Sequence, residues 1–168
     1  HDAGYGWAAS KKLSFYGYRL HLLTTRQGLI LDWALASAPV RDLPMAVELL
    51  APRSHLTVLG DKAYIHRTVA AELKQNQNII LMTLPRANQR QQLPKVFHRP
   101  FNSARFIIET VISQLVGQFR IQRNHARTFY GLGVRLHSKL TAHTLCIFLN
   151  RLLEVPDFLQ IKNLAFSN

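Results

Sequence analysis

The sequence predicts an α/β domain built on a mixed sheet, and three patterns carry that expectation. Tyr16, Tyr18, Leu20 and Leu22 alternate with other residues, as one face of a half-buried strand should. Two short apolar runs, at 55–60 and 78–84, bracket a stretch with helical character. Ile108, Val111, Ile112, Leu115 and Phe119 recur at helical spacing and form a single apolar stripe. The resulting order is strand, strand, helix, strand, helix, strand, long helix. An opening hairpin makes the sheet mixed rather than wholly parallel.

Taken in order, residues 1–15 show no clear period and read as an arm. The strand over 16–25 turns at Arg26-Gln-Gly28 and returns over 29–38, where Pro39 ends it. Asp42 is placed to cap a helix from Leu43 to Leu50, with Pro44 tolerated in its first turn and Pro52 closing it. The strand over 55–60 delivers Asp61. A helix is expected over 65–75 and a strand over 78–84 around Ile79, Ile80, Leu81 and Met82.

Residues 85–101 contain Pro85, Pro94 and Pro100 among Arg86, Arg90, Lys95, His98 and Arg99, and read as a basic loop. A loop of that length is either functional or a solvated, variable connection. The striped helix follows over 102–120. A basic turn, Gln122-Arg-Asn-His-Ala-Arg127, and a break at Gly131-Leu-Gly133 precede a last helix over 134–153. That helix is apolar on most sides near its end, which predicts burial.

Composition narrows the function classes. The 168 residues suffice for one domain with a substantial core. Lys and Arg number 21 against nine Asp and Glu, for a net charge of +12. Such a field favours a polyanion, nucleic acid first and an acidic membrane surface second. Non-enzymatic binding proteins share that basicity. The single Cys146 has no partner for an internal disulfide and suits a small buried hydrophobe. There is no long uninterrupted apolar run and no signal peptide, so the expected location is cytoplasmic.

Chemistry has few places to reside. The eight His residues show neither H-E-x-x-H nor Cys–His spacing, which argues against zinc. No glycine-rich phosphate loop and no Gly-x-Ser-x-Gly elbow is present. Carboxylates are scarce, and two stand out. Asp61 follows the apolar run Thr57-Val-Leu-Gly60, and Glu109 borders the helical stripe with Arg105 one turn before it. Asp61 is open to two readings, an ordinary turn residue or a group at a strand end ready for metal or catalysis. Paired carboxylates can perform acid–base work without metal, or hold Mg²⁺ for phosphoryl transfer.

The segments Tyr16-Gly-Tyr-Arg-Leu-His-Leu22, Leu59-Gly-Asp-Lys-Ala-Tyr64 and Arg105-Phe-Ile-Ile-Glu-Thr-Val-Ile-Ser-Gln-Leu115 together resemble bacterial insertion-sequence transposases of the DDE type. Phe119-Arg-Ile-Gln-Arg-Asn-His-Ala-Arg127 and the helix ending in Phe148-Leu-Asn150 are similar as well. The resemblance spans essentially the whole chain. It implies a ribonuclease-H-like fold and Mg²⁺- or Mn²⁺-dependent cutting and joining of double-stranded DNA ends. Asp61 matches the family's second catalytic Asp and Glu109 its catalytic Glu, both metal ligands. Arg105 matches a basic position preceding that Glu, placed to touch phosphate. By analogy Lys62, Arg86, Arg90, Arg120, Arg123 and Arg127 are DNA-contact candidates, with a solvated surface charge the alternative for each. The DNA substrate also implies association with the nucleoid.

One departure matters. The family's first catalytic Asp lies on a central strand upstream of the Tyr-Gly-Tyr hairpin, and neither Asp2 nor Asp32 matches it. The expectation is therefore the C-terminal part of a transposase catalytic domain, inactive alone. Its exposed sheet edges would allow weak folding or association, for example as a homodimer. The rivals are another ribonuclease-H-like nuclease that cuts without joining, and a basic DNA-binding transposon remnant.

Overall fold

The computed structural model describes residues 3–8, 12–64, 66–83 and 94–165. The chain runs β1 (Gly4–Ala8), β2 (Leu13–Thr24), β3 (Ile30–Ser37), α1 (Asp42–Leu50), β4 (Thr57–Gly60), a 3₁₀ turn (Lys62–Tyr64), α2 (Arg67–Gln77), β5 (Ile80–Thr83), α3 (Lys95–Gly117), α4 (Phe129–Leu152) and α5 (Lys162–Ala165). Among the described residues β1, β2 and β3 form one sheet in that order, and β4 pairs with β5 in another. The β1–β2 pairing is antiparallel and the β4–β5 pairing parallel. This is the mixed α/β architecture expected, compatible with a ribonuclease-H-like fold.

Two compact units divide the chain: His1–His21 with Trp33–Ser103, and Leu22–Asp32 with Ala104–Asn168. In the first unit the parallel register runs from Thr57 opposite Ile80 to Gly60 opposite Thr83. The link from α2 into β5 is a tight reversal. Asn78 adopts the left-handed conformation, φ 53°; its N–H bonds back to the Lys74 carbonyl and the Ile79 N–H to that of Leu73. Asn is among the residues that tolerate this cap geometry. Leu73 and Ile79, on either side of it, are buried and fix the strand against its helix.

In the second unit the buried residues Val111, Leu115, Leu136, Leu140, Ile147 and Ile161 come from α3, α4 and the segment after α4. Polar groups tie that terminal segment down. Asn150 donates to the carbonyls of Phe158 (3.0 Å) and Gln160 (3.1 Å), and the Gln114 amide donates to that of Leu159. The Gln114 carbonyl oxygen is left to accept from His143 Nε2 at 2.9 Å. His143 is fully buried, with Phe119 edge-on to it and, among the described residues, no hydrogen-bond partner for Nδ1. This arrangement selects the neutral Nε2–H tautomer, and burial lowers the His143 pKa to about 4.

The pH consequence follows from that direction. The unfolded chain takes up the His143 proton near pH 6.5 and the folded chain only near 4. The stability contribution of neutral His143 is therefore present above pH 6.5 and lost as pH falls through 4. Up to about 3 kcal/mol is expected to disappear over that window. Urea unfolding at a series of pH values measures the slope. A His143 imidazole that titrates near 6.5 by NMR would contradict it.

Several elements differ from the sequence expectation. The arm includes a strand, β1, which escapes a periodicity search because its buried side offers only Gly4, Gly6 and Ala8. The proposed loop over 85–101 is helical from Lys95 onward, with Pro100 accommodated near the start of α3; residues 84–93 lie outside the described residues. Helix α4 begins at Phe129 rather than after Gly133. The Thr128 hydroxyl accepts the Gly131 N–H at 3.0 Å, so the supposed glycine break is a capped first turn. Asp42 is the first residue of α1 rather than its cap; Arg41 holds the cap position without a side-chain bond. The end of α4 is not largely buried, since Leu145, Phe148 and Leu152 are exposed. Among the described residues no helix is long and apolar enough to cross a membrane.

Candidate active site

The parallel β4–β5 pair ends at Gly60, and the chain turns there with Asp61 exposed at the strand's C-terminal edge. The turn is closed by the Tyr64 N–H, which donates to the Asp61 carbonyl at 3.0 Å. The Tyr64 ring lies over Gly60, where an added Cβ would sit 3.3 Å from Cδ2. Glycine thus lets the aromatic ring close down on the strand end that carries Asp61.

Tyr64 is itself held. Its hydroxyl lies 3.3 Å from His21 Nδ1, and His21 Nε2 lies 3.9 Å from Asp42 Oδ1. Arg19 pairs with the same Asp42 oxygen at 3.2 Å. Strand alternation explains the grouping, because Arg19 and His21 share the face of β2 opposite Tyr18 and Leu20. Burial pushes the Tyr64 phenol up to about 12, and the carboxylates of Asp42 and Asp61 push it the same way. It is therefore neutral at physiological pH and can donate to His21 Nδ1. Burial likewise lowers the His21 pKa, with Asp42 opposing and Arg19 adding to the effect. The neutral imidazole then presents Nε2–H toward Asp42.

No local pattern joins these residues: in the sequence His21 and Tyr64 stand inside separate motifs and Asp42 reads as a helix cap. The available signal was the parity of Arg19 and His21, two cationic or titratable groups on one strand face.

Glu109 lies on α3, in the second unit, whereas Asp61 belongs to the first. Arg105 Nε contacts Glu109 Oε1 at 2.7 Å, one helical turn away, and both side chains are exposed. An exposed pair of this type is worth about 0.3–0.5 kcal/mol, so the Glu109 carboxylate is readily released to another partner. Both acids supply hard oxygen donors at the surface, the ligand type that Mg²⁺ and Mn²⁺ take. Among the described residues no three His, Cys, Asp or Glu form a cluster that could hold a metal.

The basic candidates fall into distinct settings. Lys62 sits in the 3₁₀ turn after Asp61. Arg86 and Arg90 lie outside the described residues. Arg120, Arg123 and Arg127 are exposed on the connection between α3 and α4. That connection is pinned from α4, where Lys139 Nζ donates to the carbonyls of Arg120 (2.8 Å) and Arg123 (3.4 Å) and Arg135 donates to that of Asn124 (2.6 Å). Partial burial and the nearby Arg135 charge lower the Lys139 pKa. No carboxylate occurs between Glu109 and Glu154, so nothing in that stretch neutralises these cations. Beside Tyr64 an open pocket of about 120 Å³ is lined by His66, Arg67, Ala70, Leu81 and Thr83.

The family model described as a transposase DDE domain matches residues 4–129, three-quarters of the chain. No curated protein and no solved structure matches it.

Proposed function

Because the chain belongs to the transposase DDE-domain family, we propose that it forms the catalytic region of an insertion-sequence transposase that cuts transposon ends and joins them to target DNA. The observation that carries this reading is that the family match spans both Asp61 and Glu109. In the proposal these two carboxylates are metal ligands for Mg²⁺ or Mn²⁺. A bound divalent ion supplies Lewis-acid polarisation of the phosphoryl group and a more acidic attacking water or hydroxyl. The protein's own contributions are orientation and charge. Tyr64 closes the turn that presents Asp61, and His21 with Asp42 and Arg19 holds the phenol in place. Arg105 keeps Glu109 extended along its helix and offers a guanidinium to substrate phosphate.

Double-stranded DNA is the proposed partner. The exposed Arg120, Arg123 and Arg127 suit phosphate contacts, which set register without reading sequence. Lys62, Arg86 and Arg90 are assigned to DNA backbone contact on sequence grounds alone.

Strand cleavage and joining on transposon-end DNA with Mg²⁺ tests the reading. The assay compares residues 1–168 with the chain extended by the codons upstream of His1. Joined products from the extended chain, and none from 1–168 alone, are expected. Cleavage without any joined product would favour a non-joining nuclease, and DNA binding without cleavage by either form would leave a binding module.

A further inference from the structure

The β1–β2 hairpin has its large and small residues the wrong way round for a strand pair that merely covers a core. On β1 the inward positions are Gly4, Gly6 and Ala8, while Tyr5 and Trp7 point outward. A Cβ at Gly4 would meet Pro39 at 2.5 Å, and one at Gly6 would meet Ala38 at 2.8 Å and the Phe15 ring at 2.9 Å. The inner side of β1 is thus filled by the Pro39, Ala38 and Phe15 side chains packed onto the glycines, which leaves no room there for a ring on β1 itself. The aromatic residues of β1 stand on the other face. Tyr5 is 77% exposed, Trp7 55% and Tyr16 63%.

Register makes these three rings one surface. Tyr5 is directly opposite Tyr16, with ring centroids 5.0 Å apart in an edge-to-face pair, and Trp7 is opposite the small Ser14. Ser14 leaves the indole face beside it uncrowded. An exposed aromatic cluster of this kind marks an interaction site rather than ordinary surface. Charge selects the partner. From Ala3 to His21, the part of the hairpin in the first unit, the sequence has no carboxylate; Lys11 and Lys12 lie between β1 and β2, while Arg19 is paired with Asp42. Flat rings next to two lysines, with no carboxylate in the same stretch, match a ligand that offers π-faces joined by phosphates.

We propose that Tyr5, Trp7 and Tyr16 form a stacking platform for unpaired bases of DNA. This rests on the reading that the chain binds DNA, and adds that the hairpin takes strands whose bases are out of the duplex. Paired bases keep their π-faces inside the stack, so the platform discriminates single-stranded from double-stranded DNA. Stacking on aromatic side chains is sequence-tolerant, because every base has a π-face.

The test uses the 168-residue chain, an oligothymidylate of about eight nucleotides, and a duplex of the same length. In a Trp33→Phe background the remaining indole is Trp7, whose fluorescence should be quenched by the oligothymidylate. Trp7→Ala and Tyr16→Ala are each expected to weaken single-strand binding by about tenfold, with duplex binding unchanged. Trp7→Phe and Tyr16→Phe should retain most of the affinity, which separates lost stacking from a disturbed hairpin. Equal single-strand affinity for all variants, with duplex binding intact, overturns the platform and leaves the transposase reading standing. A change of oligomeric state in Trp7→Ala with unaltered DNA affinity also overturns it, in favour of a second copy on this face. Failure to bind either DNA overturns both readings.

Discussion

Asp61→Asn is expected to abolish strand joining, by about a thousandfold or more, in a form of the protein that joins DNA. The substitution keeps size and hydrogen-bonding capacity but removes the charge with which the proposed divalent ion would be held. Metal stabilisation of a phosphoryl-transfer transition state is worth several kcal/mol, and each 1.4 kcal/mol is about tenfold in rate. Asp61 is exposed and its backbone carbonyl, not its carboxylate, closes the turn with Tyr64. The fold should therefore survive, and DNA affinity without metal should be preserved. Glu109→Gln is expected to behave alike, because loss of the weak pair with Arg105 costs little stability. The exposed Glu72 of α2 provides the control, and Glu72→Gln should join DNA normally. Joining by Asp61→Asn within tenfold of the parent would refute the assignment.

The largest effect on stability is expected from Gly28→Ala. Gly28 closes the β2–β3 turn, with its N–H bonded to the Thr25 carbonyl at 3.1 Å and the Thr25 N–H bonded to Leu29 at 2.9 Å. The Thr25 hydroxyl adds bonds from the N–H groups of Gln27 and Leu29, each at 3.2 Å. Gly28 has φ +84°, and a Cβ there would lie 2.6 Å from Leu159 Cδ2 and 3.3 Å from Val111 Cγ2. Backbone strain of about 1–2 kcal/mol and overpacking of about 1–3 kcal/mol act together. A total loss of roughly 2–5 kcal/mol is expected, or roughly 5–15 °C in Tm. Leu159→Ala in the same chain should restore part of it by making room. Thermal unfolding within 2 °C of the parent, at about the precision such a shift requires, would show that the turn is not packed as described.

Elements specified by short-range forces differ in legibility from those that form only on packing. The β2–β3 hairpin, the short strands β4 and β5 and the α3 stripe were legible because each is specified by local periodicity or turn chemistry. β1 was not, since its inward residues are glycines and its large residues face outward. Two helix starts were misplaced for a related reason. Pro94 and Pro100 read as loop residues, yet Pro94 immediately precedes α3 and Pro100 is its sixth residue, carried inside the helix, and Gly131 reads as a breaker until Thr128 is seen to cap it.

At the candidate site, Asp61 was readable as a scarce acid at a strand end and Glu109 as one bordering a helical stripe, each within a motif; the structure puts Glu109 well inside α3 rather than at a helix end. That follows from composition and spacing, which are properties of the chain. The network of Arg19, His21, Asp42 and Tyr64 joins β2, α1 and the turn after β4, so it exists only once those segments are folded together. The buried Gln114–His143 pair is likewise tertiary, because its energetics depend on desolvation that no local pattern records. The sequence by itself therefore determined the family and the α/β class, and it singled out the two acids that the proposal uses. Tertiary structure decided what orients Asp61, where the aromatic surface lies and which histidine is held neutral, because burial and long-range contacts arise only on packing.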